Sequence, residues 1–231
     1  MNMKNIVVLT GAGMSAESGI ATFRDSGGLW DQYKVEEVAT PEGFMRNPQL
    51  VLDFYNKRRR ETINAVPNQG HLLLASLQDH YNVHIITQNV DNLHEKAGSR
   101  QVLHLHGELM KIRSSRNPEL ILDADPLNPD TKLGDKASDG SQLRPHIVWF
   151  GEAVPMMYDA ERITQKADIL IVIGTSLNVY PAAGLVNCVA DDTPIFLIDP
   201  KDVLIVRPNV TFIKKGASEG MKELVGLLSN L

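Results

Sequence analysis

Five apolar, β-branched runs punctuate the chain, at residues 5–10, 83–87, 101–106, 169–173 and 195–199. Their near-continuous apolar character predicts strands buried on both faces, as in a parallel sheet. Helix-like spacing follows several of them, most clearly over 159–167, 182–190 and 219–228. The alternation predicts a doubly wound, Rossmann-like α/β sheet. Two segments break it. Residues 34–79 read as a helical insert, with helices over 48–66 and 68–80 separated by Pro67. Residues 111–144 are polar and rich in Asp, Pro and Gly, with no periodicity, and a loop that long is usually functional, stapled or mobile. The expected organisation is a large domain from 1–33, 80–110 and 145–231, and a smaller one from the two inserts.

The first run breaks directly into Gly11-Ala12-Gly13-Met14-Ser15-Ala16-Glu17. A G-x-G-x-x-A turn between strand and helix lets backbone N–H groups approach a pyrophosphate, with the helix terminus favouring the anion. A hydride-transfer domain would continue with helix, second strand and an acidic residue about 20 positions on. Asp31 has that spacing, but residues 19–30 read as a loop carrying Phe23, Arg24 and several glycines rather than as a strand. The pattern therefore predicts a dinucleotide held under a folded-over loop.

Net charge is −5 and pI is near 5.8, and the only basic run is Lys57-Arg58-Arg59-Arg60. Without a broad basic face, nucleic acid is not expected as a partner. No apolar run approaches the roughly 20 residues that span a bilayer, and the N-terminus lacks a signal-peptide pattern, so no membrane association and a cytoplasmic location are expected. Cys188 is the only cysteine. It permits no internal disulfide and no cysteine-built zinc cage within one chain, so no zinc is expected. Nothing in the pattern sets the oligomeric state.

Chemistry-bearing residues cluster at predicted strand ends: Thr87-Gln88-Asn89-Val90-Asp91-Asn92-Leu93-His94, His104-Leu105-His106-Gly107-Glu108, His146-Ile147-Val148-Trp149-Phe150-Gly151-Glu152, and Gly174-Thr175-Ser176-Leu177-Asn178-Val179-Tyr180-Pro181. Imidazole can accept a proton near neutral pH, which makes His106 a candidate base. His104 shares its expected strand face at i, i+2, a metal-ligand spacing, but no third ligand is evident. Asn89 or Asp91 could equally cap a short helix running to Ala97.

Together with Gly11-Ala12-Gly13-Met14-Ser15, and in this order over nearly the whole chain, these clusters resemble the sirtuin family, in particular its bacterial deacylases. The resemblance implies an enzyme that consumes NAD⁺ to remove acyl groups from lysine in proteins or peptides, transferring them to ADP-ribose and releasing nicotinamide. Breaking the nicotinamide–ribose bond develops oxocarbenium character, the acyl oxygen attacks the ribose carbon, and a base then helps a ribose hydroxyl to attack. By family position that base is His106, with Asn89 and Asp91 also catalytic. Gly11, Ala12, Gly13, Ser15, Glu17, Phe23, Arg24, Gln88, Asn89, Asp91, Gly174, Thr175 and Ser176 would hold NAD, as would Asp199, where many relatives have asparagine. A carboxylate can likewise accept from ribose hydroxyls.

Peptide substrate would add as a strand between residues 148–152 and 178–181, with Val148, Phe150, Gly151, Glu152 and Val179 in contact. Tyr55 and Arg58 fall at i, i+3 on one predicted helix face, and with Ala39 they match sirtuins that accept acidic acyl groups. Desuccinylation and demalonylation are thus expected beside deacetylation. Relatives of this type usually carry four zinc-binding cysteines in the second insert, where this chain has Ser114-Ser115 at the first pair. Asp123-Ala124-Asp125 does not continue into a calcium loop, since Asn128 and Gly134 stand where the turn glycine and bidentate Glu belong. The insert is read as a zinc-ribbon-like module without its ligands, with Leu120, Ile121, Leu122, Leu127 and Leu133 available as a small core. NAD hydrolysis or mono-ADP-ribosyl transfer, and non-catalytic binding of NAD or acyl-lysine, are the alternatives; they would leave Tyr55 and Arg58, or His106, without a task.

Overall fold

The computed structural model describes residues 3–22 and 29–229. Among these residues nine strands form: β1 (Asn5–Thr10), β2 (Asn82–Thr87), β3 (Val102–His104), β4 (Gly107–Ser114), β5 (Ile121–Asp123), β6 (Leu143–Ile147), β7 (Ile169–Ile173), β8 (Ile195–Ile198) and β9 (Val210–Ile213). Six make a parallel sheet in the order β3-β2-β1-β7-β8-β9. The chain winds outward from β1 to β3, then returns to β1's other side with β7, so the order reverses between β1 and β7. Ligands of such sheets bind outside the strand ends at that reversal. Thr10 pairs with both Thr87 and Ile173, which brings the loops after β1, β2 and β7 to one level.

Successive β1 residues explain why the runs are apolar throughout. Ile6 and Val8 face the helices Gln69–Ser76 and Ala217–Leu228 through Leu74, Met221 and Leu224. Val7 and Leu9 face Ala160 of the helix Met157–Thr164 and Leu185 of a 3₁₀ turn, Ala182–Asn187. Both faces of the sheet are therefore covered. That 3₁₀ turn replaces the helix expected over 182–190; Gly184 within it weakens an α-helix. Strand β3 ends at His104, short of the expected 106, and β9 was not foreseen because its edge position leaves Thr211 and Phe212 exposed. Among the described residues no helix is long and apolar enough to cross a membrane.

The helix Pro48–Asn64 starts where Asn47 Oδ1 accepts from Leu50 N at 3.1 Å and Pro48 occupies the first turn. It packs Val51, Phe54 and Tyr55 against Val38, Leu109 and Trp149. The second insert is not structureless: β4, β5 and β6 form an antiparallel sheet in the order β5-β4-β6, which begins and ends a few residues outside 111–144. No alternating pattern announces it, since all of β5 is exposed. Nor do the apolar residues available for a small core form one, for Leu127 is 96% exposed and Ile121, Leu122 and Leu133 also face solvent.

Polar contacts hold the insert instead. Ser114 and Ser141 hydroxyls lie 2.7 Å apart, and each donates to a different Asp139 oxygen at 2.7 Å. Ser114 Oγ also accepts from the N–H groups of Arg116 and Asn117 at 3.0 and 2.9 Å. These hydroxyl bonds hold the Asp139 carboxyl down at about 2. On the other side Asn56 pairs with the Thr131 backbone in both directions, at 2.8 and 2.9 Å. Buried Arg59 donates to the Leu109 and Pro129 carbonyls, and burial lowers its guanidinium to about 10 against the pull of Asp130.

Arg59→Met should remove about 2–4 kcal/mol of stability, because it strips the donors from buried carbonyls without replacing them. Urea unfolding of the two proteins measures the difference. Chelator, by contrast, should change neither melting temperature nor activity, and elemental analysis should find no stoichiometric zinc, since serine hydroxyls stand in the knot.

Candidate functional site

A crevice of about 580 Å³ opens above the ends of β1, β2 and β7. Its floor is two interlocked loops. Gly11 N and Gly13 N donate to the carbonyls of Ile173 and Gly174, at 3.0 and 2.9 Å. Gly174 has φ +61°, and a Cβ there would lie 2.3 Å from Met14 N, so the close approach demands glycine. The helix after the turn, Gly13–Ala16, is one turn long, which leaves loop amides rather than a long helix dipole to meet an anion. Gly11, Ala12, Gly13, Glu17, Thr175 and Ser176 line the crevice on this side with Gly174, and Asp199 lines it at the end of β8. Asp199 also accepts from Lys201 N at 2.8 Å, and Glu17 accepts from Ser218 N at 3.2 Å at the start of the helix Ala217–Leu228.

The loop after β2 forms the inner wall. Gln88 Nε2 donates to Thr175 Oγ1 at 3.1 Å, and Asn89 Nδ2 donates to Gly11 O at 2.9 Å and Ser15 Oγ at 3.1 Å. Gln88 and Asn89 reach the crevice; Ser15 and Asp91 stand behind it. Burial raises the Asp91 carboxyl, against hydrogen bonds from Leu93 N and Ser15. Its bond to Leu93 N, at 3.1 Å, opens the short helix Leu93–Lys96. The N-cap of that helix is Asn92, which makes no side-chain cap bond, so neither Asn89 nor Asp91 is the cap; Asp91 bonds the first helical N–H from one position before it. Phe23 and Arg24 lie outside the described residues.

His106 sits just past β3, where Gly107 turns the chain with φ +82°. Its Nδ1 is 3.1 Å from the Gln88 carbonyl and so carries the proton, which leaves Nε2 unprotonated in the neutral ring. Burial holds its pKa below the usual value, with the Gln88 bond opposing. His104, the last residue of β3, does not line the crevice beside His106. It bonds Asn89 O through Nδ1 at 3.0 Å and Glu95 Oε1 through Nε2 at 2.8 Å, so it supports the wall, and no metal-binding group of His, Cys, Asp and Glu occurs among the described residues.

Ala39, Tyr55, Arg58, Val148, Phe150, Gly151, Glu152 and Val179 line the other half of the crevice. Phe150 N donates to Ala39 O at 3.0 Å, joining the two predicted specificity segments. Tyr55 is buried, its phenol pushed up to about 12 by desolvation, and its oxygen accepts from Trp149 Nε1 at 3.1 Å. Burial likewise lowers Arg58, against the attraction of Tyr55, Glu61 and Asp91. Glu152 has a structural commitment as well: its carboxylate meets Arg144 at 2.7 Å and Arg113 at 3.3 Å and accepts from Trp149 N at 2.8 Å. Trp149, to which sequence reasoning gave no role, is thereby locked, with the Arg144 guanidinium 3.3 Å above its ring. Lys201 and Val203 were also missed; their signal was only that they follow a strand end beside Asp199.

The Sir2 family model matches residues 11–181. The chain is 60% identical over 230 residues to an NAD-dependent protein deacylase of Bacteroides thetaiotaomicron, covering 98% of each chain. A solved complex of a Sir2 homologue with NAD superposes with a TM-score of 0.87 at 39% identity, covering 99% of this chain and 90% of that one. Sir2 in complex with an inhibitor, 2′-O-acetyl-ADP-ribose and deacetylated p53 peptide does so with a TM-score of 0.78 at 27% identity, covering 97% and 94%.

Proposed function

The chain belongs to the Sir2 family, and we propose that, as an NAD⁺-dependent protein deacylase, it takes acetyl, succinyl and malonyl groups from lysine and passes them to ADP-ribose with release of nicotinamide. The observation that carries this reading is the continuity of one crevice, in which the Gly11–Gly174 cradle and the Asn89 wall meet the Val148, Phe150 and Val179 segments, with His106 lining the same space. The cradle suits a dinucleotide in that a Cβ at Gly11, Gly13 or Gly174 would clash with the facing loop, so only glycine lets the two loops close into one floor at the strand ends where such ligands lie. NAD⁺ supplies the ribose carbon that receives the acyl oxygen once nicotinamide leaves. Asn89 and Gln88 orient the ribose and carboxamide, Asp91 holds Asn89 through Ser15, and His106 Nε2 accepts a ribose-hydroxyl proton. Buried Tyr55 and Arg58 bind the distal carboxylate of an acidic acyl group, in space left by Ala39.

Incubating the protein with NAD⁺ and matched acetyl-, succinyl- and malonyl-lysine peptides tests this, with peptide mass and nicotinamide followed together. Loss of the acyl mass in step with nicotinamide release is expected. Nicotinamide without deacylated peptide would instead show NAD⁺ hydrolysis, and binding of both ligands without turnover would show a binding module.

A further inference from the structure

Behind the crevice lie two fully buried histidines, His71 on the helix Gln69–Ser76 and His94 on the helix Leu93–Lys96, with ring centroids 4.9 Å apart. Their tautomers follow from their partners. Asn68 N donates to His71 Nδ1 at 3.3 Å, so that nitrogen is bare and Nε2 carries the proton. At the other end the Thr10 hydroxyl donates to Thr87 Oγ1 at 2.8 Å, so its single proton is used and it accepts from His94 Nε2 at 3.0 Å. His94 Nδ1 is then bare. The two ring atoms without a partner among the described residues are therefore one donor, His71 Nε2, and one acceptor, His94 Nδ1.

Further hydrogen bonds anchor both ends of the pair. Thr87 Oγ1 also accepts from Asn89 N at 3.0 Å, and Asn68 Nδ2 donates to Met14 O at 2.8 Å. Contacts thus run from Met14 beside the glycine loop to His71, across the edge-to-face packing of the two rings, and from His94 through Thr10 and Thr87 to the Asn89 backbone. Thr10 and Thr87 are the last residues of β1 and β2, directly before Gly11 and Gln88.

We propose that His71 and His94 are positioning residues for NAD⁺, a neutral imidazole pair that holds the ends of β1 and β2 so that Asn89 meets the ligand, and that protonation of either ring undoes this arrangement. The role of Asn89 rests on the functional reading above; the pair itself does not. A proton on His71 Nδ1 would confront Asn68 N–H, and one on His94 Nδ1 would place a cation in the core beside another imidazole. Glu17 and Glu95 face His71 and favour its protonation, while His71 and His104 oppose that of His94. Burial dominates both, holding His71 at about 4 and His94 well below its ordinary value. Because the unfolded chain takes up these protons near 6.5, the pair's stabilisation is complete above that pH and is lost as pH falls toward 4.

NAD⁺ titration calorimetry on the full chain tests the positioning role. His94→Leu should weaken NAD⁺ binding by roughly tenfold through displacement of the wall, and His94→Gln, which keeps a donor for Thr10, should recover to within about twofold. Equal binding by His94→Leu and the unaltered chain, or a Gln variant as weak as Leu, would overturn it. An unaltered chain that binds no NAD⁺ would overturn the functional reading as well. Should His94→Leu not fold, the double variant His71→Asn, His94→Gln, which keeps the hydrogen-bond roles without titrating, carries the second arm. Its urea midpoint should fall less between pH 7 and 5 than that of the unaltered chain, and an identical fall would overturn the pair's coupling to protons.

Discussion

Replacing His106 by alanine is expected to lower kcat/KM for deacylation by about 10²–10⁴, with NAD⁺ affinity close to that of the unaltered chain. The size follows from what a positioned base contributes to proton transfer. The selectivity follows from geometry: the ring is held from behind by the Gln88 carbonyl, while the cradle is built from the loops of Gly11 and Gly174 and keeps its contacts when the imidazole is gone. Burial keeps the ring's pKa below its ordinary value, so it is the neutral base at pH 7. The pH profile of kcat/KM should accordingly stay level down to about 6.5 and fall only below it, as the ring takes up its proton. Calorimetry with NAD⁺ and a peptide mass assay measure the two quantities separately; turnover near normal in the variant would remove the base from His106.

Arg58→Met should lower kcat/KM for succinyl- and malonyl-lysine by roughly ten- to a hundredfold, the equivalent of one charge-assisted guanidinium–carboxylate contact of about 1.5–3 kcal/mol. Acetyl-lysine carries no carboxylate, so its turnover should change little. Methionine retains most of the apolar stem that packs beside Phe54, whose ring centroid lies 5.7 Å from the guanidinium carbon. Tyr55→Phe should act in the same direction but more weakly. Its hydroxyl accepts from Trp149 Nε1, so the variant also leaves that indole N–H without its partner, and acetyl turnover serves as the control for this. An equal loss on all three acyl groups would show that Arg58 acts through folding or NAD⁺ binding.

The parallel sheet was legible because burial on both faces writes itself into β1 and β7 as uninterrupted apolar runs. The site was legible for a related reason: in this topology the ligand lies at strand ends, and Gly11, Gln88 and Gly174 are each the first residue past a strand or directly follow its last. What escaped was whatever depends on a partner distant in sequence. Gly11 and Gly13 read as a phosphate turn, yet the need for glycine comes equally from Gly174, more than 160 positions away. In the sequence Arg59 is only one member of a basic run, whereas in the fold it is wholly buried against the Leu109 and Pro129 carbonyls. His71 and His94 carried no local signal, since a histidine on a helix looks the same whether it faces solvent or another ring.

The Ser114–Asp139–Ser141 knot bears on how the protein meets oxidative stress. A tetrathiolate centre ties the shape of a domain to thiols that peroxide can convert to disulfides or acids, releasing the metal. Hydroxyl and carboxylate groups have no place on that ladder. The sheet of β4, β5 and β6 supplies Ile147, at the inner edge of the crevice, and Arg144, which braces Trp149 and Glu152. Peroxide therefore finds no thiol in the small sheet that braces this half of the crevice; the chain's single thiol, Cys188, lies half-buried outside the crevice lining.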